Sequence, residues 1–243
     1  DFAMIYGQPN LQIATITGIV HLLLIALFLF TFFSTTGRLW FVRKTRPAWY
    51  KEFSKVLARA QQENDAINYL SVAWQYYFVG LDRLCEKSLD KVQELDGQLM
   101  DVWLLRGYIH QSKGRFESAI LCFKEITDSG CPDKVLIARA WMACGHCQAQ
   151  QIENSRAAKP DWHEVLKSYK QASLTDTSLA DPHYYLGVTL IKAELLKDAE
   201  AELLLCQNNQ RAGKEALTWL DPMLGSMVQQ EINAIRNLSR GKQ

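Results

Sequence analysis

Residues 100–133, MDVWLLRGYIHQSKGRFESAILCFKEITDSGCPD, contain two short runs with apolar residues at helical spacing, separated by a turn that contains glycine. Small and bulky residues recur at defined places in the two runs. Counted from the first of the 34 residues, positions 4, 8, 15, 20 and 24 hold Trp103, Gly107, Gly114, Ala119 and Phe123, and Pro132 closes the stretch. The stretch therefore predicts two helices joined by a turn.

The same pattern recurs at intervals of about 34 residues in the remainder of the C-terminal body. Positions 8, 20 and 24 are held by Ala73, Cys85 and Leu89 in the preceding copy, by Gly145, Val165 and Tyr169 in the following copy, and by Gly187, Ala199 and Leu203 in the last. In the third copy the second helix arrives eight residues late. Residues 151–162 are therefore predicted to be a lengthened turn or a helix extension.

These four copies resemble the tetratricopeptide repeat (TPR) family, in which small residues at positions 8 and 20 let paired helices approach and large residues at 4 and 24 fill the layers. The resemblance implies an all-α fold, an α-solenoid of about four TPR-like helix-turn-helix repeats. The predicted repeats span residues 66–99, 100–133, 138–179 with the insertion 151–162, and 180–213. Residues 214–243 carry apolar residues at helical spacing and predict a C-terminal capping helix and tail.

An apolar segment precedes the repeats. Residues 11–33 read LQIATITGIVHLLLIALFLFTFF, and no Asp, Glu, Lys or Arg occurs between Phe2 and Gly37. At about 1.5 Å per residue such a helix spans roughly 34 Å, enough to cross a hydrocarbon core of about 30 Å. After a short N-terminal segment, 1–10, we predict a single transmembrane helix at 11–37 that continues through Trp40. A cleaved signal peptide is the alternative, but the apolar stretch is long and no basic region precedes it.

Basic residues follow the apolar segment, and none precedes it. By the positive-inside rule the N-terminus is expected outside and the repeats in the cytoplasm, with a bacterial inner membrane favoured over a eukaryotic one. Residues 38–65 are predicted to form a basic, amphipathic juxtamembrane helix. Its candidate membrane-surface residues are Arg38, Trp40, Arg43, Lys44, Arg46, Trp49 and Lys51. They either set topology alone or also bind anionic headgroups or an acidic partner.

The TPR resemblance implies a concave surface, lined by the first helix of each repeat, that receives an extended or helical peptide. The corresponding positions supply the partner-binding candidates Trp74, Tyr77, Phe78, Leu104, Tyr108, Met142, His146, Tyr184 and Val188. This lining is rich in aromatic residues. Either it forms a groove for an apolar helix, or the first repeat packs against residues 49–60, which then hide Trp74 and Phe78.

Cys144-Gly145-His146-Cys147 matches the CGHC motif of thiol oxidoreductases. Those enzymes place the motif at a helix start after a buried strand, whereas here it falls within a predicted helix, with Gly145 at the small-residue position of the repeat. Core cysteines are therefore the favoured interpretation. No second ligand pair for zinc, phosphate-binding loop, HExxH or GxSxG motif is found, so we predict no enzyme activity, metal or cofactor.

These features together predict a membrane-anchored protein–protein interaction scaffold or an assembly subunit of a larger membrane complex. The alternatives are a receptor in protein transport or secretion and a thiol redox protein using the CGHC motif. Expected partners are proteins, in particular membrane proteins or their cytoplasmic segments, together with membrane lipid. A net charge of +1 and the lack of an arginine-rich stripe argue against nucleic acid, and no small-molecule substrate is expected.

Overall fold

The computed structural model describes residues 11–157, 159–211 and 221–240, with side chains described for 18–30, 34–157, 159–210 and 226–237. All regular structure in these residues is helical. The helices are α1 (Leu11–Phe33), α2 (Thr35–Thr45), α3 (Pro47–Glu63), α4 (Ala66–Phe78), α5 (Asp82–Leu95), α6 (Asp101–Ser112), α7 (Phe116–Asp128), α8 (Lys134–Ser155), α9 (His163–Thr175), α10 (Asp181–Lys192), α11 (Leu196–Arg211) and α12 (Asp221–Arg240).

The chain divides into two compact units, Asp1–Leu99 and Met100–Gln243. In the first unit α4 and α5 form a helix hairpin, and α3 packs on α4. Asp65 caps α4 by accepting hydrogen bonds from the backbone N–H groups of Ile67 and Asn68. The turn after α4 contains Gly80 at φ +73°, a conformation that glycine adopts without strain.

The predicted continuous helix through Trp40 is not what the structure contains. The first helix ends at Phe33, and Ser34, in an extended conformation, caps the next helix by accepting a hydrogen bond from the Gly37 N–H. The axes of residues 18–30 and Thr35–Thr45 differ by 96°. The predicted single helix over 38–65 is also wrong: Pro47 starts a new helix, because proline fits the first turn of a helix but not its interior.

Among the described residues no single helix is long and apolar enough to cross a membrane, whereas one bent pair, Gly18–Phe30 with Thr35–Thr45, meets the requirement by length and composition. The side chains of residues 18–30 include many large, exposed apolar groups. The predicted N-terminal segment 1–10 lies outside the described residues.

In the second unit three helix hairpins, α6–α7, α8–α9 and α10–α11, stack along the chain and α12 follows. The small residue of each first helix is in contact with the bulky residue of its partner. A methyl group added at Gly145 would lie 2.6 Å from the Tyr169 ring, and one at Gly187 would lie 2.8 Å from Leu203. One added at Gly107 would overlap the Phe123 ring. The glycines therefore set the distance between paired helices.

The structure explains why the second helix of the third predicted repeat, the α8–α9 hairpin, begins late. Helix α8 continues through Ser155, and residues 156–162 then connect it to α9. The extension contacts neighbouring hairpins on both sides: Gln151 donates to Glu117 at 2.5 Å, and the Lys192 ammonium lies 2.6 Å from Glu153. Trp162 at the end of the connection is buried beneath the Lys192 ammonium. The inserted residues thus connect three hairpins.

The last described helix, α12, packs on α11 and contacts α10. It buries Val228, Ile232 and Ile235, and so covers part of the hydrophobic core. Residues 214–220 and 241–243 of the predicted cap and tail lie outside the described residues.

Candidate protein-binding surface

Four residues hold equivalent places on the first helices of the hairpins, at position 9 of each predicted repeat. They are Trp74, Tyr108, His146 and Val188, and all four are half-buried. A half-buried side chain has one side packed and one side accessible, which suits it to contact a partner without exposing the core. Trp74 belongs to the first unit and the other three residues to the second, so each unit carries its own candidate surface.

In the first unit, α4 presents a compact aromatic group made of Trp74, Tyr77 and Phe78. The Trp74 ring stacks on Phe78 with centroids 5.7 Å apart and meets Tyr77 edge-on at 5.9 Å. Phe78 remains 50% exposed, although large apolar side chains are usually buried. We call these three residues the α4 aromatic group.

Helix α3 packs on α4 but does not cover all of this group. Its Phe53 is buried against Tyr76, with ring centroids 4.9 Å apart, and the Trp49 indole N–H donates to the Gln75 side chain at 2.8 Å. Packing of the juxtamembrane segment on the first repeat is thus found, but it does not hide Phe78, and the groove for an apolar helix stays a prediction.

In the second unit the candidate surface centres on His146. Its ring packs edge-on against both Tyr169 and Tyr185, with centroid distances of 5.4 and 4.4 Å, and a 2.7 Å hydrogen bond joins its Nδ1 to the Tyr169 hydroxyl. Tyr185 is half-buried and was not among the predicted residues. Sequence spacing selected its neighbour Tyr184, and only the packing distinguishes the two.

Burial keeps the His146 imidazole neutral, since it lowers the pKa from 6.5 to about 4. A group whose pKa is depressed by folding stabilises the fold above its unfolded pKa, and this stability is lost as the pH falls toward the folded value. Burial also raises the pKa of the Tyr169 hydroxyl, so the hydroxyl keeps its proton.

We expect the free energy of unfolding to fall between pH 7 and pH 4.5 in the wild type and in the His146→Gln variant. The decrease should be about 2 kcal/mol larger in the wild type. In the wild type, unfolding at pH 4.5 lets the imidazole take up a proton, whereas glutamine does not titrate. Denaturant unfolding of both proteins at the two pH values measures the difference. Equal losses in the two proteins would show that His146 is not held neutral.

Three predicted contact residues are not accessible. Leu104, Met142 and Tyr184 are buried, at position 5 of their repeats, so the expectation that they line an open surface is wrong. Met142 and Tyr184 belong to helices that pack on the preceding hairpin as well as on their own partner, and α6, which carries Leu104, contacts both α7 and α8. In the second unit position 5 therefore contributes to the core, and position 9 to the surface.

The candidate membrane-surface residues also differ in exposure. Arg38, Trp40, Arg43, Lys44, Arg46 and Lys51 are exposed. Trp49 is half-buried and stacks on Phe53 with centroids 4.9 Å apart. Its side chain thus serves helix packing, whereas the other candidates remain at the surface.

The CGHC cysteines lie in the helical core. Cys144 and Cys147 are buried within α8, and burial raises the pKa of each thiol to about 12. Nucleophilic cysteines need a depressed thiol pKa, because the thiolate is the reactive form. The geometry therefore does not support redox catalysis at this motif. Among the described residues no group of three or more His, Cys, Asp or Glu side chains is arranged to hold a metal ion.

We expect native protein to be alkylated by iodoacetamide at pH 7.5 first at the half-buried Cys122 and Cys131. Cys144 and Cys147 should react about a thousandfold more slowly than an exposed thiol, because almost none is thiolate at that pH. Peptide mass spectrometry over a time course, with denatured protein as the control for full reactivity, measures the rates. Labelling of Cys147 as fast as Cys131 would restore the redox alternative.

No protein-family model and no curated protein matches the sequence. Several solved structures share the fold at low sequence identity. The crystal structure of MamA is similar over 70% of this chain and 94% of its own, with TM-score 0.52 and 13% identity. That of PilW, described as a widely conserved type IV pilus biogenesis factor, covers 81% of this chain and 84% of its own, with TM-score 0.55 and 14% identity.

A third similar structure is the APC/C hetero-tetramer Cut9-Hcn1, which matches 76% of this chain and 34% of its own, with TM-score 0.54 and 14% identity. The similar structures are TPR-type proteins. At these identities they establish the fold and not the activity. The chain is therefore an all-helical protein with a TPR-like solenoid fold.

Proposed function

We propose that the chain is a membrane-anchored scaffold that binds another protein through the first helices of its TPR-like hairpins. The observation that carries the proposal is the recurring half-buried residue at position 9, joined in the first unit by the exposed Phe78. Aromatic residues with accessible rings are typical of binding hot spots, because they bury a large area at low entropic cost. TPR-type neighbours support a protein partner rather than a small molecule.

The proposed anchor is α1. Its 23 residues contain no charged side chain, and the apolar side chains of residues 18–30 are largely exposed. Exposed apolar surface of this extent is unfavourable in water and favourable in a bilayer. We infer that the membrane boundary lies near Ser34, because the apolar helix ends at Phe33.

We further propose that the repeats face the cytoplasm, with a bacterial inner membrane as the most suitable location. The support is the group of seven basic residues between residues 38 and 59, directly after α1. A partner in this arrangement is a membrane protein or its cytoplasmic segment. Reporter fusions at the two termini test the orientation, and an active cytoplasmic reporter at the N-terminus would contradict it.

Native mass spectrometry of the detergent-extracted chain, expressed at its natural level, tests the scaffold function. We expect a complex in which the chain and a second polypeptide occur in a fixed ratio. Alkaline carbonate extraction of the same membranes tests the anchor separately, and we expect the chain to remain in the pellet. A chain recovered alone in repeated preparations would contradict the scaffold, and release by carbonate would contradict the anchor.

A further inference from the structure

The corner between α1 and α2 is built by specific local contacts. The Ser34 hydroxyl donates to the Phe30 carbonyl at 2.7 Å and accepts from the Gly37 N–H at 2.8 Å. A methyl group at Gly37 would overlap the Phe30 carbonyl, so only glycine allows the chain to turn this closely. The sequence thus specifies the bend of 96° between residues 18–30 and α2.

Helix α2 presents aromatic and basic side chains on one exposed face. Trp40 is 44% exposed and Phe41 46% exposed. Arg43 and Lys44 follow three or four residues later, one helical turn further along the same face, and are also exposed. Leu39 and Val42 are half-buried. Such a face suits the membrane interface, where aromatic rings insert and long basic side chains extend to the headgroups.

The charge of this region is strongly one-sided. Between residues 38 and 59 there are seven Arg or Lys residues and a single acidic residue, Glu52. Glu52 is paired with Lys55, and Arg59 is paired with Glu63. For Lys44, Arg46 and Lys51, no carboxylate in the described part of the chain lies within ion-pair distance. These three cations therefore face solvent, and no described carboxylate pairs with them.

We propose that α2 lies flat in the membrane interface and that Lys44, Arg46 and Lys51 bind the phosphate groups of anionic lipids. The inference rests on the proposed anchor: when α1 crosses the bilayer close to its normal, a helix at 96° to it runs along the surface. Trp40 and Phe41 are then at headgroup depth, and the three cations meet the negative surface. The alternative is that the three cations bind an acidic surface of a protein partner.

Each basic residue near an anionic membrane surface raises the affinity about fivefold, so three of them give roughly a hundredfold preference at low salt. The test is native mass spectrometry of the full chain taken from nanodiscs with equal amounts of phosphatidylglycerol and phosphatidylcholine. We expect the lipids that stay bound to be enriched at least tenfold in phosphatidylglycerol. The Lys44→Gln, Arg46→Gln, Lys51→Gln variant should lose most of this enrichment.

The matched control removes the same charge elsewhere, by Lys124→Gln, Lys170→Gln and Lys197→Gln, at exposed positions of the second unit. It should keep the enrichment. A second readout is the quenching of tryptophan fluorescence by lipids that carry bromine near the headgroup. The quenching should be weaker in the Trp40→Phe variant, because the proposal places Trp40 at the interface.

Equal binding of the two lipids by the wild type, or enrichment that survives in the triple variant, overturns the proposal. The proposal is also overturned if the triple variant loses a bound protein subunit and keeps its lipid, since the cations would then bind a protein partner. A chain that resists carbonate extraction but shows no enrichment leaves the anchor intact and refutes only the lipid site. Release by carbonate refutes both.

Discussion

Phe123→Ala is expected to destabilise the α6–α7 hairpin by about 3–5 kcal/mol, because it removes a fully buried aromatic ring and leaves a cavity. The ring of Phe123 fills the space above Gly107 and meets Tyr108 edge-on at 5.5 Å. Hydrogen exchange followed by mass spectrometry on the full chain measures the effect locally. Peptides from both helices should exchange at least a hundredfold faster.

The matched control for this substitution is Leu121→Ala on the same helix. Leu121 is 65% exposed, so its removal should change the exchange rates little. If the two substitutions had similar effects, Phe123 would not be the packing residue that the structure indicates.

A double-mutant cycle tests the contact between Gly107 and Phe123 directly. In the wild type, Gly107→Ala should be destabilising because the added methyl overlaps the ring. In the Phe123→Ala background the same change should be stabilising by about 0.5–1 kcal/mol, because space is available and alanine favours the helix. The same sign in both backgrounds would contradict the contact.

The second large effect concerns binding. Replacing both Trp74 and Phe78 by alanine is expected to weaken partner binding at least thirtyfold, about 2 kcal/mol, because two accessible aromatic rings of the α4 aromatic group are lost. Titration of the purified partner, identified by native mass spectrometry, measures the affinity. Leu121→Ala removes an equally apolar, exposed residue outside the proposed surface and should leave the affinity unchanged.

Trp74 is half-buried, so its replacement also removes packing within the first unit, and Phe78→Ala alone provides the second variant. Phe78 is half exposed, and its truncation should leave helicity and thermal stability nearly unchanged while weakening binding about tenfold. Unchanged affinity in this well-folded variant would place the partner elsewhere.

The fold was predictable because it depends on small and large residues at regular spacing. Gly145 and Tyr169 are separated by a connection of unusual length, yet the TPR resemblance assigned them to the packing positions 8 and 24, and the structure places them in contact. The break between α1 and α2 was missed, because it depends on a local capping interaction and not on the hydropathy pattern. The bend at Ser34 is a capping motif with Gly37 inside an otherwise apolar and helical stretch, and the prediction followed the apolar pattern instead.

The candidate surface was less predictable, because exposure depends on contacts between hairpins. Met142 and His146 lie one turn apart on α8, but only Met142 is fully within the core. Tyr184 and Tyr185 are adjacent and identical in type, and the predicted lining selected Tyr184, whereas packing buries that ring and leaves Tyr185 half-buried. The role of the cysteines was easier to predict. A CGHC motif in the middle of a helix lacks the helix N-terminus that would lower the thiol pKa.

Site-specific photo-cross-linking in cells tests the central claim, that the first helices of the hairpins bind a protein. A photoreactive phenylalanine analogue is placed at Phe78 or Val188 on first helices, and at Leu121 or Leu174 on second helices as exposed controls. We predict a discrete cross-linked protein from positions 78 and 188 and none from 121 and 174. Cross-links only from the second helices, or from none of the four positions, would contradict the proposed surface.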